Sequence, residues 1–326
     1  MDIKNRQSPE KKTGSFFSRL ISQHNQKKDE NKVIDEIVHH IEPKIARVRG
    51  YRDRLREPVK RCHQHVQSLV AAIVGPIPLR SSEYHSDPVV HASFAGRDRL
   101  EEFLTISAKQ IEEFCSDKGE LFGLMTMTRE EKTTYGRKME GNLIVGDVPM
   151  QVLTFTEHRI VGAAGSLDAT RLRLERQALE VLAESARQEL KERRTLVAEL
   201  RDQQSQLKAM ARMFGLDRIG KTGSGYLNAE QQQKRDKVKQ LLAQTEEELS
   251  QAREENETPQ DWLEVLVKKL SEPQKILHYA NDSLHLDWRN IRAEFSDEKS
   301  NFFTLTSFTL AEELTRDAIL VNIKLH

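Results

Sequence analysis

The sequence predicts an α+β protein: an antiparallel β-platform, a long antiparallel coiled-coil hairpin inserted into it, and an N-terminal heptad-patterned helical segment. Three observations predict this. Between 33 and 74 apolar residues recur in alternating steps of four and three, the spacing of a helical seam. Between 120 and 163, and again after 273, the period becomes two, the spacing of strands. Between those strand regions lies helical pattern alone, with two internal stops and restarts.

Residues 1–31 form a polar, lysine-rich tail, too poor in apolar side chains to order itself. One island interrupts it, GSFFSRLISQH at 14–24. Phe16, Phe17, Leu20 and Ile21 there make a short apolar face, suited to docking in a partner's groove. A membrane surface or the protein's own body would suit the same face.

Residues 32–75 carry the seam: Ile34, Val38, Ile41, Ile45, Val48, Leu55, Val59, Val66, Leu69 and Ile73, with Cys62 in step and Arg52 as its one polar member. It has no obvious full-length mate elsewhere in the chain, which points to self-association as a homo-oligomer. Pro43 and Pro58 fall off the seam, at outward positions, and predict kinks or short breaks. The run GPIPL at 75–79 ends the helix.

Residues 76–119 read as a loop over 80–93 and an amphipathic helix over 95–117, with Leu100, Phe103, Leu104, Ile111 and Phe114 on one face. In 120–165, LFGLMTMT, EKTTYGRKM, NLIVGDV and MQVLTFTEHRIV read as antiparallel strands, with TREE and MEGN as turns.

Residues 166–257 form the hairpin. The first helix, about 167–214, is roughly 70 Å long at 1.5 Å per residue. Leu172, Leu179, Ala186, Arg193, Leu200, Leu207 and Phe214 recur every seven residues, and Leu182, Leu196 and Met210 add a row three residues on. The second, 228–255, carries Val238, Leu242, Thr245, Leu249 and Ala252. Folding back at 220–222 sets Arg193 and Arg194 beside Glu247, Glu248 and Leu249. In 258–326, Thr258 caps a helix with Pro259 in its first turn, ending near Leu270. Strands KILHYAN, SLHLDW, FFTLTSFTL and AILVNIKL then join the platform; two separate sheets are the alternative.

Composition narrows function. Lys plus Arg and Asp plus Glu are 51 each, so any nucleic-acid or membrane signal is local. Cysteines number two, Cys62 and Cys115, without metal-type spacing, which suits a reduced, cytoplasmic setting. No stretch approaches a membrane span.

The octet GLDRIGKT at 215–222 matches the phosphate-loop pattern letter for letter. A helix end precedes it where a strand is needed, and Gly223, Ser224 and Gly225 follow where a helix must begin. It reads as the turn of the hairpin. The stretch 44–61 is dense in base: Arg47, Arg49, Arg52, Arg54, Arg56 and Arg61 can meet phosphates, although they point around several sides of the helix. In CHQH at 62–65, Cys62 lies on the seam and the histidines fall on other faces, so no metal site converges. Neighbours such as Glu157 and His158 face opposite sides of a strand, and no catalytic constellation stands out.

The expected role is therefore non-enzymatic, without cofactor or metal: a cytoplasmic coiled-coil scaffold or adaptor binding a protein partner and itself. The alternative is a nucleic-acid-associated protein using 44–61. A nucleotide-binding machine using 215–222 ranks last.

Overall fold

Both strand regions enter one six-stranded sheet, in a chain of mixed helix and strand. The computed structural model describes residues 26–112, 119–140, 143–213, 229–254, 258–293, 300–311 and 314–324. In order they form α1 (Gln26–Ile41), a 3-10 turn (Pro43–Arg47), α2 (Tyr51–Ala71), β1 (Ile77–Pro78), a 3-10 turn (Ser81–His85), α3 (Pro88–Ser93) and α4 (Arg97–Glu112). Then come β2 (Glu120–Glu140), β3 (Leu143–Ala164), α5 (Leu167–Met213), α6 (Ala229–Glu254), α7 (Pro259–Ser271), α8 (Pro273–Ile276), β4 (Leu277–Leu286), β5 (Asn301–Leu310) and β6 (Leu314–Lys324). Two compact units result: Met1–Val59 with Ala183–Ser271, and Lys60–Leu182 with Glu272–His326.

The second unit holds the sheet, in the order β3-β2-β6-β5-β4. All these neighbours are antiparallel; the short β1 adds to β6 in parallel. β6 is central because it is nearly all apolar, AILVNI, and buried on both faces. One face carries Leu121, Met125, Met127, Leu153, Phe155, Leu284, Leu286, Phe303, Leu305, Ile319 and Val321 into a core closed by Leu79, Val90, Phe94 and Leu100. On the other face Leu124, Thr306, Ala318 and Leu320 are buried, and Leu174 of α5 packs onto Gly162, where a Cβ would stand 2.9 Å from it.

The sheet is bent. Each of three register shifts between β2 and β3 sets an extra residue on β3. Beside each stands a β3 residue of positive φ: Gly162 (67°), Glu157 (52°) and Asp147 (55°). Bulges of this kind bend and twist the strand that bears them. The segment after β4 bridges to β3, the opposite edge, at Val152↔Ile291.

The first unit is helical. Val33, Ile34, Ile37, Val38, Ile41, Ile45, Leu55, Ala186, Leu190, Leu263, Leu266 and Leu270 are buried in it. Asp35 ties α1 to α2, accepting from the Tyr51 hydroxyl at 2.6 Å and from Arg52 Nε and a terminal nitrogen at 2.8 and 2.7 Å. Glu42 caps the 3-10 turn through the Lys44 N–H (3.2 Å) and its second oxygen accepts from Arg194. The Arg194 guanidinium lies 4.3 Å from the Trp262 ring centroid.

Several expectations need correction. TREE is not a turn: residues 128–131 run straight through β2. The expected loop 80–93 is a 3-10 turn and α3, whose first turn is capped by Asp87 accepting from the Val89 and Val90 N–H groups. Pro43 does break the seamed helix, opening the 3-10 turn, but α2 continues through Pro58, which is buried rather than outward. Along α5, Leu182 of the expected second row is buried but Leu196 and Met210 are exposed, as is Leu172 of the first row; Ala183, Leu190 and Ala211, four residues on from the first row, are buried. Arg193 pairs within its own helix, with Glu189 at 2.8 Å, and Arg194 pairs with Glu42. On the acidic run of α6, Glu246 meets Gln204 (3.1 Å) and Lys208 (3.2 Å), about three to four turns beyond Arg193 and Arg194 along α5, so the register of the two helices differs from the expected one.

Candidate interaction site

The β2–β3 hairpin outgrows its sheet. The β2–β6 ladder ends at Met127↔Asp317, yet β2 runs on to Glu140 and stays paired with β3 to Glu140↔Leu143. From residue 128 onward β2 has β3 on one side and, among the described residues, no strand on the other. The composition of this stretch accounts for it: EEKTTYGRK carries no apolar stripe on either face, so neither face has a core to join.

Three locks hold the base of this ribbon. Arg129 reaches Asp282 of β4 at 2.6 Å and, through Nε, Asp317 of β6 at 3.0 Å. β2 and β4 stand three strands apart, about 14 Å in a flat sheet, so the pair meets only because this face is concave. Asp317 is fully buried and also accepts from the Ser307 hydroxyl. Burial raises its carboxyl above the ordinary carboxylate range, against the pull of Ser307 and Arg129.

The second lock is Glu157, which accepts from the Thr128 hydroxyl (3.0 Å) and from Arg316 (2.6 Å); these bonds hold its carboxyl below the ordinary range. The third is the turn after β4. Asp287 accepts from the N–H groups of Arg289 and Ile291, shaping a loop that clamps β3: Leu153 N–H to Asn290 O at 2.9 Å and Arg292 N–H to Gln151 O at 2.8 Å. Arg292 also reaches Glu131 at 3.1 Å.

That clamp fixes which backbone groups of β2 face outward. Leu153 spends its N–H and Gln151 its C=O on the clamp, away from β2. Their partners Glu131 and Thr133 therefore also point away from β3, as residues of a non-hydrogen-bonded pair do. Tyr135 continues the alternation, and its partner is Pro149, which lacks an N–H and loses nothing at such a position. Among the described residues nothing pairs with the outward groups of Glu131, Thr133 and Tyr135, which there form an open edge. Side chains at 131–135 and 137 are exposed, Tyr135 at 71%.

The residues singled out from sequence lie elsewhere. Phe16, Phe17, Leu20, Ile21 and the octet 215–222 are outside the described residues. Of the seam, Ile34, Val38, Ile41, Ile45, Leu55, Val59, Val66, Leu69 and Ile73 are buried within the single chain, and Val48 is half-buried. Among the basic residues, Arg52 is held by Asp35, Arg54 approaches Glu264 at 3.5 Å, and Arg56 pairs with Asp53 and Glu30; Arg47, Arg49 and Arg61 are exposed.

The CHQH residues diverge. Cys62 is buried and burial pushes its thiol up to about 12; His65 bonds the Leu277 carbonyl at 2.7 Å. Among the described residues no three His, Cys, Asp or Glu side chains gather as metal ligands, and no helix is long and apolar enough to cross a membrane. Glu157 and His158 do face opposite ways: His158 stacks on Phe94 at 4.4 Å and bonds the Ser93 carbonyl at 2.8 Å. No protein-family model, curated protein or solved structure matches this chain.

Sequence reasoning misses the open edge because TREE reads as a turn. The usable signal lies on the partner strand: Pro149 is tolerated in a ladder only where no N–H is required.

Proposed function

We propose that the protein is a non-enzymatic adaptor or scaffold, acting through protein–protein contact, with the outer edge of β2 as its binding strip. The observation that carries this is the edge itself. Unpaired strand groups bind an added strand through main-chain hydrogen bonds, and here three sets of side-chain and backbone bonds hold the strip rigid at its base. In the same reading α5 and α6 form an antiparallel coiled-coil arm, a second presenting surface. The contacts of Glu246 with Gln204 and Lys208, and the burial of Leu200, Leu207, Thr245 and Leu249, support it.

The protein reading is favoured over nucleic-acid binding because three arginines of the basic stretch are engaged by the chain's own acids. The test is a pull-down of the tagged protein from its host, with and without nuclease, beside the variant Thr133→Pro. Partners that survive nuclease and are lost with Thr133→Pro support the edge. Partners that survive both overturn the edge as the binding strip. Partners lost on nuclease treatment alone overturn the whole reading in favour of nucleic acid.

A further inference from the structure

We propose that the occupant of the β2 edge is the same edge of a second copy, paired antiparallel about Thr134. This rests on the reading of the edge as a binding strip and names what binds there. A β3-β2-β2-β3 sheet would then run across a two-fold axis, an isologous contact in which each copy offers the same strip.

The register follows from the backbone and the charges together. Outward groups belong to the odd positions 131, 133 and 135. The register shift beyond Gly136 inserts its extra residue on β3, so the alternation on β2 is undisturbed and position 137 also faces out. Antiparallel edges bond through such outward residues facing one another. Odd must therefore face odd, which places the axis on a residue and not between two: on Thr133, Thr134 or Tyr135. An axis on Thr133 sets Arg129 against Arg137. An axis on Tyr135 sets Thr133 against Arg137 and gives that charge no mate. An axis on Thr134 sets Glu131 against Arg137, twice by symmetry, and Thr133 against Tyr135. Like charges directly opposite destabilise a strand pair and opposite charges favour it, so charge selects the Thr134 axis.

The segment EEKTTYGRK is thus self-complementary about Thr134: Glu130 and Glu131 face Lys138 and Arg137, and Lys132 faces the uncharged Gly136. Within one copy Glu131 meets Arg292 and Glu130 meets Lys132, both at exposed positions. These pairs do not occupy the outward backbone groups. Charge also explains the specificity of an otherwise hazardous edge, since a long unpaired edge invites indiscriminate pairing unless charges restrict it.

The deciding experiment is cysteine cross-linking of the full chain with mass measurement in solution. On the axis, position 134 faces its own copy as a non-hydrogen-bonded pair, with Cα atoms about 4.5 Å apart, inside disulfide range. Position 132 stands about 14 Å from its counterpart. Mild oxidation is therefore expected to convert Thr134→Cys to a covalent dimer and to leave Lys132→Cys monomeric on a non-reducing gel. The unaltered protein should sediment as a dimer and Thr133→Pro as a monomer. Arg137→Glu should weaken dimerisation about tenfold, restored by combining it with Glu131→Arg. An unaltered protein that stays monomeric at all concentrations overturns the second copy as occupant, while the pull-down can still show another protein on the edge. A dimer that cross-links no better at 134 than at 132 overturns the register.

Discussion

Arg129 and Asp317 make an ion pair, Nε to Oδ2 at 3.0 Å, at the point where β2 parts from β6, and the Asp317 side chain has no exposure at all. The pair anchors the exposed ribbon to the buried centre of the sheet. Removing one partner of such a pair leaves a buried charge, which costs about 3–5 kcal/mol. Arg129→Met is expected to lower the urea midpoint accordingly. Asp317 has its folded-state carboxyl raised, so its contribution to stability is present below the unfolded carboxylate range and is lost as pH rises through the raised value. Without Arg129 that rise goes further, so the deficit of Arg129→Met should shrink on acidification from about pH 7 toward 4. A deficit independent of pH would show that Asp317 is not the group left stranded.

Thr306 is fully buried on the opposite face of the sheet and its hydroxyl serves twice. It accepts from the Val74 N–H at 3.1 Å and donates to Asn281 at 2.9 Å. Thr306→Val keeps the shape and orphans the Val74 donor, at a cost of about 1–3 kcal/mol. Thr306→Ser keeps the hydroxyl and should recover most of that loss. Equilibrium unfolding of the two variants separates the bond from the packing.

Helix α7 begins with a reciprocal cap. The Thr258 hydroxyl accepts from the Asp261 N–H at 3.3 Å, and Asp261 accepts from the Thr258 N–H at 2.8 Å. Thr258→Ala should cost about 1 kcal/mol and Thr258→Gly only a few tenths of that. Thermal unfolding followed by circular dichroism reads the difference.

His158 carries a pH signature. Burial beneath Phe94 lowers its pKa from the ordinary 6.5, with the Ser93 carbonyl pulling upward. A depressed folded-state value means stability that is present above pH 6.5 and lost as pH falls through the lowered value. His158→Gln can still donate to Ser93 and cannot titrate. Its stability should therefore decline less than the parent's between about pH 7 and 5, and equal slopes would show that His158 does not titrate on unfolding.

Much of the element list was legible because helices and caps are local. α6 and α7 begin within a residue or two of where residues 228 and 259 place them, since Thr258, Pro259 and the restart after the glycines act on their own neighbours. The row of α5 that faces the interior was legible in part: Leu179, Leu182, Ala186, Leu200 and Leu207 are buried, whereas Leu172 and Leu196 are exposed. Leu196 and Ala183 are both plausible seam members by spacing, and only the position of neighbouring helices buried the alanine and exposed the leucine. The site was legible in half. The polar run 130–137 marks an exposed strand, but a turn at TREE is ruled out by the partner across the ladder, not by anything in TREE itself.

By itself the amino-acid sequence determined the two periods, the helix ends and the self-complementary charges of residues 130–138, because each depends on residues a few positions apart. Tertiary structure alone decided the rest. It paired β2 with β6, from Glu120↔Lys324 to Met127↔Asp317, across most of the chain. It placed Arg129 between Asp317 and Asp282 and, among the described residues, left the outer half of β2 without a second strand partner. Such contacts are chosen by which strands reach the centre of a bent sheet, and strand order across so long a separation leaves no local trace in the chain.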